Sequence, residues 1–74
     1  MYKITLKNNN EVLRSCDLED LNPFSILYEF EKSYGDGTVL KAIEIICRNY
    51  NSFSISTLMD YYVSNGMKLN IETK

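Results

Sequence analysis

With 74 residues, ten acids against eight bases and no histidine, the chain has room for one domain and one core. A net charge of −2, with the bases scattered from Lys3 to Lys74, excludes a surface built to grip phosphates, which needs Lys and Arg in clusters. The missing imidazole removes the usual general base and the commonest transition-metal ligand, so an enzyme is not expected, nor a metal or other cofactor.

One Pro and three Gly leave no linker or low-complexity segment, and residues 1–74 read as a single ordered unit. No run approaches the roughly 18 apolar residues needed to cross a bilayer. The opening MYKITLKNNN has no signal-peptide apolar region, so a cytosolic protein without membrane contact is expected. In such a reducing compartment Cys16 and Cys47 read as small buried hydrophobes rather than as a disulfide.

In chain order, Tyr2, Ile4 and Leu6 alternate with Lys3, Thr5 and Lys7, the period of a half-buried strand. Asn8 to Asn10 make a turn, since Asn enters left-handed backbone cheaply. Glu11 to Cys16 then returns as the second strand of a hairpin, with Val12 and Leu13 competing for its inward face. Asp17-Leu18-Glu19-Asp20 is expected to form an N-capped helical turn. Asn22-Pro23 opens a helix over 23–34, with Leu21 stapling onto Ile26. On it Ile26, Leu27, Phe30 and Tyr34 share the core face, and Phe24, Tyr28 and Glu31 form a neighbouring face that the core need not use.

Gly35 ends that helix, and a second helix runs from Thr38 to Asn51. Val39, Ala42, Ile43, Ile46 and Tyr50 make its apolar stripe, widened by Leu40 and Cys47, against a thin seam of Lys41, Glu44 and Arg48. Most of its circumference is therefore expected to be covered, with the rest of the fold packed around it. Ser54 caps a third helix onto which Phe53 staples through Leu58, and Ile55, Leu58, Met59, Tyr62 and Val63 point inward. Gly66 stops it. Met67, Leu69 and Ile71 alternate with polar residues in a short strand that returns to the hairpin. The order ββαααβ predicts a small α+β domain, its three helices packed on an N-terminal hairpin and a C-terminal strand.

Three motif-like stretches lead nowhere chemically. Gly35-Asp36-Gly37 is too short for a phosphate loop, and the acids at 17–20 lack the spacing and glycine of a calcium loop. The helix pair around residues 51–53 resembles a helix-turn-helix, but its second helix, SISTLMDYYVSN, carries Asp60 and no cation with which to contact DNA. Direct nucleic-acid binding, as by a small transcriptional regulator, is the weakest of three readings.

Asp17, Glu19, Asp20, Glu29 and Glu31 fall in a window with no base. Beside them stand Phe24 and Tyr28, with Tyr61 as an addition, aromatics that the core does not demand. Tyr supplies contact area with a polar handle at little rotamer cost. These eight residues are the candidate partner-binding set, and their charge would steer them toward a basic surface such as the nucleic-acid groove of another protein. A homodimer through Ile45 or a strand edge is a further option.

In size and in its Asn- and Ile-rich, slightly acidic composition, the chain resembles phage-encoded antagonists of bacterial defence, the anti-CRISPR proteins among them. That resemblance implies a stoichiometric inhibitor that occludes a site on a host nuclease or effector complex, working in the host cytoplasm. The order of Tyr2-Lys-Ile-Thr-Leu-Lys7, Glu11-Val-Leu-Arg14 and Ser25-Ile-Leu-Tyr-Glu-Phe-Glu-Lys-Ser-Tyr-Gly35 is similar in pattern to siphophage tail assembly chaperones, to about residue 63. The longer C-terminal part of those proteins is missing. This second resemblance implies an assembly factor.

Overall fold

A computed structural model describes residues 1–74, and its elements follow the expected ββαααβ order. The first strand, β1 (Tyr2–Asn8), turns at Asn9-Asn10 into β2 (Glu11–Leu18); Asn9 takes φ 58°, the left-handed geometry anticipated for this turn. The last strand, β3 (Lys68–Thr73), pairs antiparallel on the other side of β1, so the sheet order is β2-β1-β3.

Register assigns the two faces of the sheet. Ile4 lies opposite Cys16 and Ile71, and Leu6 opposite Arg14 and Leu69, so these residues share the helix-covered side. Lys3, Thr5 and Lys7 point the other way with Ser15, Asp17, Lys68, Asn70 and Glu72, onto a polar face that no helix covers. The competition between Val12 and Leu13 ends in a bulge: Leu6 pairs with Arg14 and Lys7 with Val12, leaving Leu13 as the extra residue. Neither Val12 nor Leu13 is buried.

The helical turn expected at 17–20 does not form. Leu18 continues the inward alternation of Arg14 and Cys16 and pairs with Tyr2, so β2 runs two residues further and only Glu19 and Asp20 bend. Pairing on β1 outweighs the capping propensity of Asp17 here.

Helix α1 (Pro23–Glu31) begins as its sequence dictates: the Asn22 side chain accepts from the Phe24 and Ser25 amides, at 2.8 and 3.4 Å, with Pro23 at the first position. Leu21 stays partly exposed. The helix ends three residues early, tightening into a 3-10 turn over Lys32–Tyr34 before Gly35 at φ 102°. The tighter winding rotates Tyr34 off the core stripe; it is 63% exposed, where a continued α-helix would have buried it.

Helix α2 (Asp36–Tyr50) starts two residues before Thr38 and stops at Asn51, whose φ of 58° provides the left-handed cap. Helix α3 (Ile55–Ser64) carries a reciprocal capping box, Ser54 accepting from the Thr57 amide and Thr57 from the Ser54 amide. It ends where Gly66, at φ 78°, lets the Met67 amide turn back to the Tyr62 carbonyl at 2.8 Å.

Helix α1 lies over β2 and α3 over β3, and α2 packs on α1 and α3 rather than on the sheet. The core is thus Ile4, Leu6 and Leu69 from the sheet, Ile26, Leu27 and Phe30 from α1, Leu58 and Tyr62 from α3, and Val39, Ala42 and Ile46 from α2. This corrects the expectation for the second helix. With its neighbours on one side only, α2 buries a narrow arc and leaves Leu40 68% exposed and Cys47 exposed too. On α3, Val63 likewise faces solvent rather than core. Both cysteines are free: Cys16 is half-buried under α1, and Cys47 does not behave as the buried hydrophobe expected of it.

Candidate functional site

Two concave surfaces concentrate the side chains that folding does not consume. The first is a groove of about 420 Å³ between the N-terminal halves of α1 and α2. Phe24, Ser25 and Tyr28 form one wall and Val39, Leu40 and Ile43 the other, so the lining is apolar but for the hydroxyls of Ser25 and Tyr28. Asn22 and Pro23 fix where α1 starts and therefore where Phe24 and Tyr28, one turn apart, emerge from the fold. Phe24 is 56% exposed and braced edge-on against Phe53, ring centroids 4.6 Å apart. Tyr28 is exposed, with the Lys32 ammonium 5.9 Å from its ring centre.

The candidate acids distribute unevenly around this groove. Glu19 and Asp20 sit exposed in the bend that leads into α1, without ion-pair partners. Asp17 projects from the uncovered sheet face, opposite Lys3, and pairs with Lys74 at 3.1 Å; Glu29 pairs with Lys32 at the same distance. The stretch that lacks bases in sequence thus receives Lys74 from across the fold and Lys32 from the position just past it. Both pairs are solvent-exposed and contribute little to stability. Burial, with Glu29 and Asp17 nearby, raises the Cys16 thiol above its ordinary value against the opposing pull of Lys32, which keeps it protonated and unreactive.

Glu31 and Tyr61 belong elsewhere. Glu31 turns inward to accept from the Tyr62 hydroxyl at 3.1 Å, and Tyr61 is half-buried, its ring 5.4 Å from that of Tyr62. Burial and the neighbouring Glu31 carboxylate raise both phenols above their ordinary value, Tyr62 much the further. Phe24, Tyr28, Glu19, Asp20 and Glu29 therefore cluster along α1 and its entry, while Glu31 lines a second concavity and Tyr61 packs beside Tyr62 on α3.

That second surface is a cleft of about 530 Å³ at the hairpin end of the sheet, lined by Leu6, Leu13, Arg14, Glu31, Tyr34, Thr38 and Met67. Arg14 reaches across it, donating to the Tyr34 hydroxyl with its guanidinium 4.9 Å from the ring centre. Sequence reasoning passed over Leu40, Ile43, Arg14 and Tyr34. For Leu40 a signal existed, an apolar residue at the edge of a stripe too wide for one neighbour; the competition of Val12 and Leu13 marked the bulge beside Arg14, but the 3-10 turn that brings Tyr34 to it leaves no mark in hydrophobic periodicity.

No helix is long and apolar enough to cross a membrane. Compared with known proteins, the chain matches no family model, and no curated protein or solved structure is similar to it.

Proposed function

We propose that the chain is a non-enzymatic protein-binding module that acts by covering the surface of a partner with the α1–α2 groove. The observation that supports this reading is the alignment of Phe24, Tyr28 and Leu40, all exposed, along one apolar concavity. Contiguous apolar surface of this kind, built from large aromatic side chains, is what protein interfaces use at their centre. Glu19 and Asp20, free of ion pairs beside the start of α1, bias the approach toward a basic surface. A partner that handles nucleic acid has such a surface, and a small acidic domain seated on it would exclude the nucleic acid. In this form the module is a stoichiometric inhibitor of the phage anti-defence kind.

The test is capture of host-cell protein by the tagged chain at low salt and at about 0.5 M salt, where screening shortens the reach of surface charge to a few ångströms. Retention of a basic nucleic-acid-handling protein is expected at low salt. Phe24→Ser with Leu40→Ser should weaken it by about tenfold or more, and Glu19→Lys with Asp20→Lys by several-fold. Lys68→Glu, on the uncovered sheet face, should leave it unchanged. Retention insensitive to both pairs of substitutions would remove the groove from the account.

A further inference from the structure

Three departures from local pattern converge on the cleft at the hairpin end. Leu13 is the extra residue of a bulge, so two consecutive residues of an edge strand, Leu13 and Arg14, reach the same concavity. Arg14 occupies a register position on the helix-covered side of the sheet, opposite buried Leu6, where Cys16 and Leu18 follow the apolar pattern. The close of α1 tightens into 3-10 and brings Tyr34 to Arg14. Where a sequence gives up locally consistent choices, the reason is commonly a functional site, and bulges recur beside them.

The electrostatics of the cleft is equally particular. Arg14 and Glu31, opposite in charge and both half-buried, line it together, yet the ion pairs of the protein are Lys32–Glu29, Arg48–Glu44 and Lys74–Asp17. Neither takes part in a direct ion pair. A guanidinium has five donors, of which Arg14 gives one to Tyr34, and the Glu31 carboxylate is held in place by the hydroxyl of fully buried Tyr62. Two half-buried opposite charges that line one partly apolar cleft without a direct ion pair between them are complementary to a molecule that carries both opposite charges and an apolar body.

We propose that this cleft binds a small zwitterion, an apolar α-amino acid or dipeptide. Its carboxylate lies on Arg14, its ammonium on Glu31, and its side chain against Leu6, Leu13 and Met67. The volume of about 530 Å³ lies within the range of small-molecule sites. The end of a protein chain offers only one of the two charges, so dependence on both selects the free small molecule. This site is separate from the α1–α2 groove and stands whether or not the groove binds a protein.

The experiment is an amide-resolved NMR titration of the full chain with L-leucine and L-leucyl-L-leucine, beside N-acetyl-L-leucine and L-leucinamide, each of which lacks one charge. Saturable shifts confined to the amides around Leu13, Arg14, Glu31 and Met67 are expected with at least one zwitterion. Each singly charged analogue should bind about tenfold more weakly than its zwitterion. Arg14→Gln should reduce zwitterion affinity by about tenfold while leaving leucinamide unaffected, and Glu31→Gln should do the same while sparing N-acetyl-L-leucine. Glutamine retains an acceptor for Tyr62, and the analogue comparison on the unaltered chain decides the matter even where a variant folds poorly. Equal binding of a singly charged analogue would assign the cleft to a chain terminus and overturn the proposal, as would an absence of shifts up to about 10 mM ligand.

Discussion

Helices α3 and α2 carry similar proportions of apolar residue but stand in different positions, and the difference separates burial from hydrophobicity. Helix α3 lies directly on the sheet and sends Leu58 and Tyr62 to full burial with Val63 left in solvent, whereas the longer α2 rests on other helices, buries Ile46 fully and leaves Leu40 and Cys47 in solvent. A helical wheel ranks arcs by apolar content; which arc is covered depends on how many neighbours the element has. Surplus apolar surface on an outer helix is either a liability or an interface, and in α2 it adjoins two exposed aromatics of α1.

The same truncation on the two helices breaks the comparison most sharply. Leu58→Ala removes a fully buried side chain and should cost about 2–5 kcal/mol, most of the stability a domain of this length holds, so that urea unfolding begins near zero denaturant. An intermediate effect is expected where α3 reaches toward α1. Tyr62→Phe deletes the hydroxyl donated to Glu31 and should cost about 1 kcal/mol at neutral pH.

That substitution also has a pH signature. Burial raises the folded-state pKa of Tyr62 above the ordinary phenol value of 10.0. Its contribution is therefore fully present below that pH and is lost as pH climbs above it, because the unfolded chain sheds the proton first. The unaltered protein should lose stability on the alkaline side more steeply than the Phe variant, with Tyr61 and the Cys16 thiol, both raised in the same direction, contributing to the slope that remains. Parallel alkaline curves for the two proteins would contradict this origin. Smallest of all, Leu40→Ala should change stability by less than about 0.5 kcal/mol, since the residue is exposed and Ala is a good helix former. A large loss there would mean that α2 is covered after all.

The elements themselves were legible wherever a residue has a local job. Alternation in Tyr2, Ile4 and Leu6 marked the first strand, Asn22-Pro23 and Ser54 marked two helix starts, and Gly35 and Gly66 marked two ends. Local logic failed where the cause lies across the fold. Asp17 looks like a cap until Leu18 is seen pairing with Tyr2, and Tyr34 belongs to the core stripe only if α1 keeps its pitch. The candidate site divided along the same line. Exposure of Phe24 and Tyr28 followed from the wheel of one helix, but Leu40 joins them only through the packing of α2, and Lys74 reaches Asp17 by a route that a linear charge run does not display.

The sheet order has a bearing on when this fold can exist. β1, made before the other elements described, is the middle strand, and one of its two ladders of hydrogen bonds waits for residues 68–73. Until then the nascent hairpin shows Ile4 and Leu6 on a strand with one open side, the arrangement most prone to pair with a stranger. Contacts between the first and last strands are also the longest loop closure the chain makes, so the pace of maturation is set by its two most distant segments meeting, after every helix has been made.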